Sequence, residues 1–254
     1  MFGFNEMLLI WCFSLILPYE SDYMSQDTFH FRQFSVCHRD CAMKVGTDGV
    51  LLGALARVGG LTALDVGTGS GLIALMLAQR GVDDVTAIDI DKGAVHQASE
   101  NFLASPWPDR LKALKADAAE FCPGRQYNTI VCNPPYYEHS PAACSPTRQA
   151  ARVADVLTHE RLIAVVCRLL ASPGYFSVIL PYERAEHFIW LCWQQNLFLT
   201  EQVNIRTKSN KPYKRAVLVF SDMKVEPSVR ELCLLTEKGA RSKAYEALTA
   251  DFYL

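Results

Sequence analysis

The residues Asn133-Pro134-Pro135-Tyr136 directly follow the apolar run Asn128 to Cys132, and their types suit one kind of chemistry. A planar exocyclic amine or amide nitrogen is a poor nucleophile because its lone pair is delocalised. Two oxygen acceptors that hold its two hydrogens favour a pyramidal nitrogen and turn the lone pair towards an electrophilic methyl. The Asn133 side-chain oxygen and the Pro134 carbonyl supply such a pair. The two prolines fix the backbone and bring no N–H of their own to compete for these carbonyls. The arrangement works by positioning and electrostatics, without a strong base. Tyr136 adds a face on which a flat base or amide stacks. The alternative is a rigid turn after a strand.

A second motif, Asp65-Val66-Gly67-Thr68-Gly69-Ser70-Gly71, falls where an apolar run gives way to a helical one. Glycines there let the backbone take positive φ and pass close to a ligand, while the helix beyond offers free N–H groups and the positive end of its dipole. The spacing G-x-G-x-G differs from the dinucleotide fingerprint G-x-G-x-x-G and lacks the Lys-Ser/Thr ending of a phosphate loop. With the acid Asp65 at its start, the turn suits a ligand carrying an ammonium group and a ribose. Asp89 ends the next strand, where a carboxylate reaches both hydroxyls of a ribose; Asp91 is read as the cap of the following helix. Asp117, in Ala116-Asp117-Ala118, ends a third strand and is placed to accept a hydrogen bond from an adenine amino group. An ordinary loop aspartate is the competing reading there.

These residues need a scaffold that brings strand ends together. The spacing predicts a short strand or hairpin around Phe29, Phe31 and Phe34, and a helix over 48–58. It then predicts strands at 62–66, 85–89, 111–116, 128–132 and 175–180, separated by helices at 72–80, 92–103 and 161–170. A helix over 185–195, a closing pair of strands at 203–205 and 216–220, and a C-terminal helix around 242–252 complete the pattern. Strands alternating with helices imply an α/β fold of the Rossmann-like kind: a mostly parallel sheet, helices on both faces, and an antiparallel edge. One domain is expected, over 24–254, with a short N-terminal addition at 24–60.

Composition narrows the class. The chain has 254 residues, 50% hydrophobic and 20% charged, with a net charge of -2, which excludes a disordered tail, a coiled coil and a uniformly basic binder. Nine cysteines, an odd and scattered set, read as reduced thiols of a cytosolic protein. Only Cys37 and Cys41 lie close together, no second pair follows, and the six histidines show no ligand spacing, so no metal is expected. The apolar run Met7 to Leu17 is too short for a bilayer span of about 20 residues and has no basic residue before it, the first being Arg32. Residues 1–23 are read as a spurious or disordered extension, with the true start at Met24, and no membrane partner is expected.

Together, DVGTGSG, IDID, ADA and NPPYY resemble the class I S-adenosylmethionine-dependent methyltransferases that modify an amino nitrogen. The lead-in Cys41 to Gly49, the run Asn133 to Tyr137 and the ending Ala244 to Leu248 are similar to the bacterial tRNA1(Val) adenine-N6-methyltransferases, which modify the adenosine 3′ of the anticodon, position 37. The resemblance runs from about Phe29 to the end. It implies S-adenosylmethionine as cofactor, with Gly67, Gly69 and Gly71 along it, Asp89 on its ribose and Asp117 near its adenine. It implies that Lys44 to Asp48, Lys44 and Thr47 among them, close over the methionine end, and that Asn133, Pro134, Pro135 and Tyr136 hold the target base. It also implies a valine tRNA as partner.

A loop with Arg206, Lys208, Lys211, Lys214 and Arg215 around Pro212-Tyr213, free of acids, offers a phosphate-contacting patch with an aromatic in it. Arg148 and Arg152 add charge after the NPPY segment. A solvated hairpin is the competing reading of the loop. Two other functions fit less well: N5-methylation of a protein glutamine, in a release factor for example, because the Asn-Pro-Pro-Tyr segment suits an amide equally, and a non-catalytic binding module that keeps the fold.

Overall fold

The computed structural model describes residues 27–39, 41, 44–134 and 157–254. Pro135, Tyr136, Arg148, Arg152 and the N-terminal extension lie outside them. A hairpin of β1 (Thr28–His30) and β2 (Ser35–Cys37) leads into α1 (Thr47–Leu55), β3 (Thr62–Val66), α2 (Leu72–Gln79), β4 (Asp84–Asp89), α3 (Lys92–Leu103), β5 (Leu111–Lys115) and β6 (Tyr127–Cys132). Then come α4 (His159–Leu169), β7 (Leu170–Pro181), α5 (Ala185–Gln194), β8 (Phe198–Arg206), β9 (Arg215–Ser221), β10 (Ser228–Cys233) and α6 (Lys243–Thr249).

β3 to β10 form one eight-stranded sheet in the order β10-β8-β9-β7-β6-β3-β4-β5. From β7 to β5 all neighbours are parallel. The strand order reverses at β3, which lies between β4 and β6, so the crevice above its carboxyl end is the place where open α/β sheets take ligands. Helices cover both faces, and that double burial is why Ala63-Leu64, Ala87-Ile88 and Ile130-Val131-Cys132 read as unbroken apolar runs.

One core packs α1, α2, the hairpin and the C-terminal residues Tyr245 and Phe252 against the sheet; the other packs α4 and α5 on the opposite face. α2 is buried all round, from Leu72 to Ala78, because it lies between the sheet and α1. The hairpin is fixed at both ends of the chain. Arg32 donates from its backbone N to Phe252 O at 2.8 Å and from Nε to Tyr253 O at 2.7 Å. Asn101 of α3 donates from Nδ2 to both Cys37 O, at 2.7 Å, and Ser70 O, at 2.8 Å, joining hairpin, helix and glycine turn.

The last third departs from the sequence reading. β9 does pair antiparallel with β7 and β8, but the edge is β10, a strand the sequence reading missed, lying parallel to β8. Most of β10 is exposed, so its residues carry no apolar alternation. β7 begins at Leu170 rather than Tyr175, running through Pro173 and Gly174 with a register irregularity against β6. β8 begins at Phe198 rather than Val203, because Thr200, Glu201 and Gln202 look like loop.

Candidate active site

The sheet register assembles the site. Val66 is paired with Ile88 on one side and with Cys132 on the other, so the next residues of three strands, Gly67, Asp89 and Asn133, emerge side by side at the carboxyl rim. The glycine turn leans on β4: Gly67 N and Thr68 N both donate to Ile88 O, at 2.9 and 3.0 Å. Asp89 fixes it from the side. Its Oδ2 accepts from Gly69 N at 2.9 Å and its Oδ1 from Asp91 N at 2.9 Å, so the carboxylate is held rigidly with lone pairs to spare. Asp91 caps α3 as read from sequence, its Oδ1 accepting from Gly93 N at 2.6 Å and Ala94 N at 3.1 Å.

Asp65 has a different place from the one expected. It is fully buried beneath the turn and lines neither of the two cavities beside it; its Oδ2 accepts from Thr68 Oγ1 at 2.7 Å and from Ala74 N at 3.2 Å. It fastens the turn to α2 rather than facing a ligand. Burial pushes its carboxyl up to about 7, the bonds from Thr68 and Ala74 oppose this, and the nearby Asp89 charge adds to it. Its Oδ1 has no hydrogen-bond partner.

Gly71 is the N-cap of α2 with φ +82, and a Cβ there would lie 2.5 Å from Phe102 Cε1; only glycine fits the close approach of α2 to α3. At Gly69, φ +54, a Cβ would meet nothing within 4 Å and would project into open space. That space belongs to two cavities, of about 300 and 440 Å³, which share Gly67, Gly69 and Asn133 as a common wall.

The smaller cavity is apolar with acids at its edge: Val66, Ile88, Ile90, Ala94 and Ala118 form walls, with Asp89 and Asp117 among the lining groups. This donor set fits a nucleoside, with a flat base between aliphatic faces and carboxylates for ribose hydroxyls and an amino group. Asp117 spends one oxygen on its own loop, Oδ1 accepting from Ala119 N at 2.8 Å. That loop is clasped from behind by Arg168 of α4, which donates from Nη1 to Ala119 O at 2.9 Å and from Nη2 to Ala118 O and Phe121 O, both at 3.1 Å. The larger cavity sets Lys44, Thr47, Asp48, Thr68 and Ser70 beside the apolar Val45, Leu72 and Ile73, and its polar members fit an ammonium and a carboxylate. The residues present thus fit a sulfonium nucleoside bearing an amino-acid tail.

Asn133 and Pro134 both line the nucleoside cavity. The basic loop lies two to three strands away on the same rim, and its cations are not equivalent. Arg206 pairs with Glu231 at 2.7 Å, Arg215 with Asp48 at 2.8 Å, and Lys208 Nζ donates to Glu237 O at 3.0 Å. Lys211 and Lys214 are exposed and enter no ion pair among the described residues. The acids come from β10 and α1, which is why the loop's own sequence gave no sign of them. The sequence reading also missed Arg161 and Leu157, which line the nucleoside cavity, and the clasp by Arg168. No spacing rule marks a guanidinium that reaches carbonyls some fifty residues away.

The model of the methyltransferase small domain matches residues 41–179. A Pectobacterium carotovorum protein, named tRNA1(Val) (adenine(37)-N6)-methyltransferase, is 43% identical over 236 residues, covering 91% of this chain and 95% of its own length. A Bacteroides thetaiotaomicron protein of the same name is 41% identical, covering 91% of this chain and 99% of its own. Among solved structures, a predicted O-methyltransferase of Agrobacterium tumefaciens superposes with a TM-score of 0.64 at 17% identity, covering 81% of this chain and 96% of the other, a likeness of fold alone.

Proposed function

The chain belongs to the tRNA1(Val) (adenine(37)-N6)-methyltransferase family, and from that premise we propose that it methylates N6 of the adenine at position 37 of a valine tRNA. The observation that carries the reading is the common wall: Asn133 stands beside Gly67 and Gly69, between the cavity lined by Asp89 and Asp117 and the cavity lined by Lys44 and Thr47. S-adenosylmethionine supplies, when bound, an electrophilic sulfonium methyl.

The chain's own residues bind and orient. Asp89 takes the ribose hydroxyls, Asp117 the adenine amino group, and Gly67 and Gly69 let the backbone pass close beneath, while Gly71, which lines neither cavity, lets α2 pack on Phe102. Lys44 and Thr47 line the end that receives the amino-acid tail. Asp65 acts from below by holding the turn. The Asn133 side-chain oxygen and the Pro134 carbonyl accept the two hydrogens of the target amine, leaving its lone pair to face the common wall. Pro135 keeps that backbone fixed and Tyr136 stacks on the base. Lys208, Lys211, Lys214, Arg206, Arg215, Arg148 and Arg152 make up the cationic surface for the tRNA, with Lys211 and Lys214 its unpaired members in the described loop. We place the methyltransferase domain at 24–254, with 24–60 as its N-terminal addition. Among the described residues no helix is long and apolar enough to cross a membrane, and a tRNA substrate supports a cytoplasmic location.

Incubation with methyl-labelled cofactor and either total RNA or total protein tests the reading. Label in the tRNA fraction is expected. Label in protein alone would replace it with glutamine methylation, the other planar nitrogen that this segment suits.

A further inference from the structure

Beyond Asn133, the rim carries a column of packed cationic and aromatic groups. Tyr213, in the β8–β9 loop, has the Arg206 guanidinium over its ring at 5.3 Å and the Tyr182 ring beside it at 5.0 Å between centroids, tilted by 44°. Glu231 of β10 locks the inner end, accepting from both Arg206 Nη2 and the Tyr213 hydroxyl. Arg206 Nε is shut off from solvent without a hydrogen-bond partner, as expected of a guanidinium laid against a ring. The backbone ties the outer end: Tyr182 N donates to Lys214 O at 3.2 Å. Tyr182 itself is 37% exposed, so the column ends in an aromatic ring open to solvent.

Its position follows from the register. β6 and β7 are parallel, with Cys132 opposite Val178, and Pro181 of β7 lies opposite Arg215 of β9. Asn133 therefore leaves the sheet near the level of Ile179, and Tyr182 opens the 3-10 turn that follows the end of the adjacent strand at Pro181, on the same rim. Lys211 and Lys214, exposed and without ion-pair partners among the described residues, flank the column.

We propose that Tyr182 is a stacking platform for an unpaired nucleotide of the substrate RNA, a base flanking the methylated one, with Lys211 and Lys214 taking the adjoining phosphates. The column Arg206–Tyr213–Tyr182 is packed before RNA arrives, so a base laid on the Tyr182 ring meets a side chain already held in place and little ordering is needed on binding. Charge bears on the class of partner: Glu231 and Asp48 are paired with Arg206 and Arg215, and Lys208, Lys211 and Lys214 of the loop outnumber the exposed Glu183 beside Tyr182, which favours a phosphate backbone over an acidic or apolar peptide.

This inference rests on the RNA reading above, and its test separates the two. Kinetics are measured with an anticodon stem-loop RNA, and the cofactor dissociation constant by calorimetry, for the wild-type chain, Tyr182→Ala and Tyr182→Phe. Loss of one base–aromatic stack, about 1–3 kcal/mol, is a ~5- to 150-fold rise in KM for RNA in Tyr182→Ala, with cofactor affinity unchanged and Tyr182→Phe close to wild type. Lys211→Ala and Lys214→Ala should each flatten the salt dependence of RNA binding. An unchanged KM in Tyr182→Ala, while the wild type methylates the RNA, overturns the platform and leaves the function standing. A parallel loss of cofactor affinity, or failure of the phenylalanine variant to restore binding, overturns it as well. A wild-type chain that methylates only protein removes the function and the platform together.

Discussion

Replacing Asp89 by alanine separates the two tasks given to its carboxylate. In the free protein it accepts from Gly69 N and Asp91 N, both at 2.9 Å, and so stiffens the turn. With cofactor it would also accept from two ribose hydroxyls. Hydrogen bonds to a charged acceptor contribute about 1.5–3 kcal/mol each. Two at the lower end give about 3 kcal/mol, or ~150-fold in the dissociation constant at 25 °C. The loss of the two backbone bonds appears in the unfolding free energy of the ligand-free protein, where about 1–3 kcal/mol is expected because both N–H groups can turn to water. Calorimetry with S-adenosylhomocysteine and with its 2′,3′-dideoxy analogue completes a cycle. The wild-type chain should lose about 3 kcal/mol on going to the dideoxy compound, and Asp89→Ala almost nothing. An equal loss in both proteins would show that the ribose is held elsewhere and would refute the reasoning.

Four further outcomes are expected. Gly71→Ala must strain a backbone at φ +82 and push Phe102 aside, so urea unfolding should show about 2–5 kcal/mol lost, whereas Gly69→Ala should cost only the ~1–2 kcal/mol of its left-handed backbone and act mainly on cofactor affinity; equal destabilisation would contradict the packing of α2 on α3. Arg168→Ala releases three carbonyls behind the Asp117 loop and should weaken cofactor binding about 10-fold while relaxing discrimination between adenine and hypoxanthine analogues, with only partial recovery in Arg168→Lys, which lacks the planar fork; unaltered discrimination would deny it a positioning role. Because the folded state raises the Asp65 carboxyl from 3.8 to about 7, the unfolded chain loses that proton first, and stability should fall as pH rises between these values, by up to about 1.4 kcal/mol per unit; Asp65→Asn should remove that slope, and parallel pH profiles for the two proteins would count against it. Asn133→Ala should lower kcat by about 100-fold or more with cofactor affinity nearly unchanged, and wild-type turnover would remove Asn133 from the chemistry.

The parallel half of the sheet was readable because burial on both faces leaves apolar runs and because glycines and acids mark the strand ends, as at Val66–Gly71 and Ile88–Asp91. The wall shared by the two cavities was legible for the same reason: Gly67 and Asn133 each follow a strand, Asp89 ends one, and parallel pairing brings successive strand ends to one rim. β10 was not legible, since an exposed edge strand such as Ser228–Cys233 needs no alternation. The partners of the basic loop were hidden as well. Arg206 and Arg215 look free in their own decapeptide, and only the parallel docking of β10 and the packing of α1 bring Glu231 and Asp48 to them. Asp65 shows how a motif residue can be found while its contact is misjudged: an acid at the start of a glycine turn points equally well to a ligand or to the turn's own N–H groups, and here Thr68 and Ala74 claim it.

The most direct test is to incubate the purified chain with S-adenosylmethionine and unmodified tRNA1(Val), then map the product by nuclease digestion and mass spectrometry. One N6-methyladenosine is expected, at position 37, made by the wild-type chain and lost with Asn133→Ala. Methylation at a ring nitrogen or carbon of that adenine, or at another nucleotide, would contradict a site that works by holding the two hydrogens of an exocyclic amine.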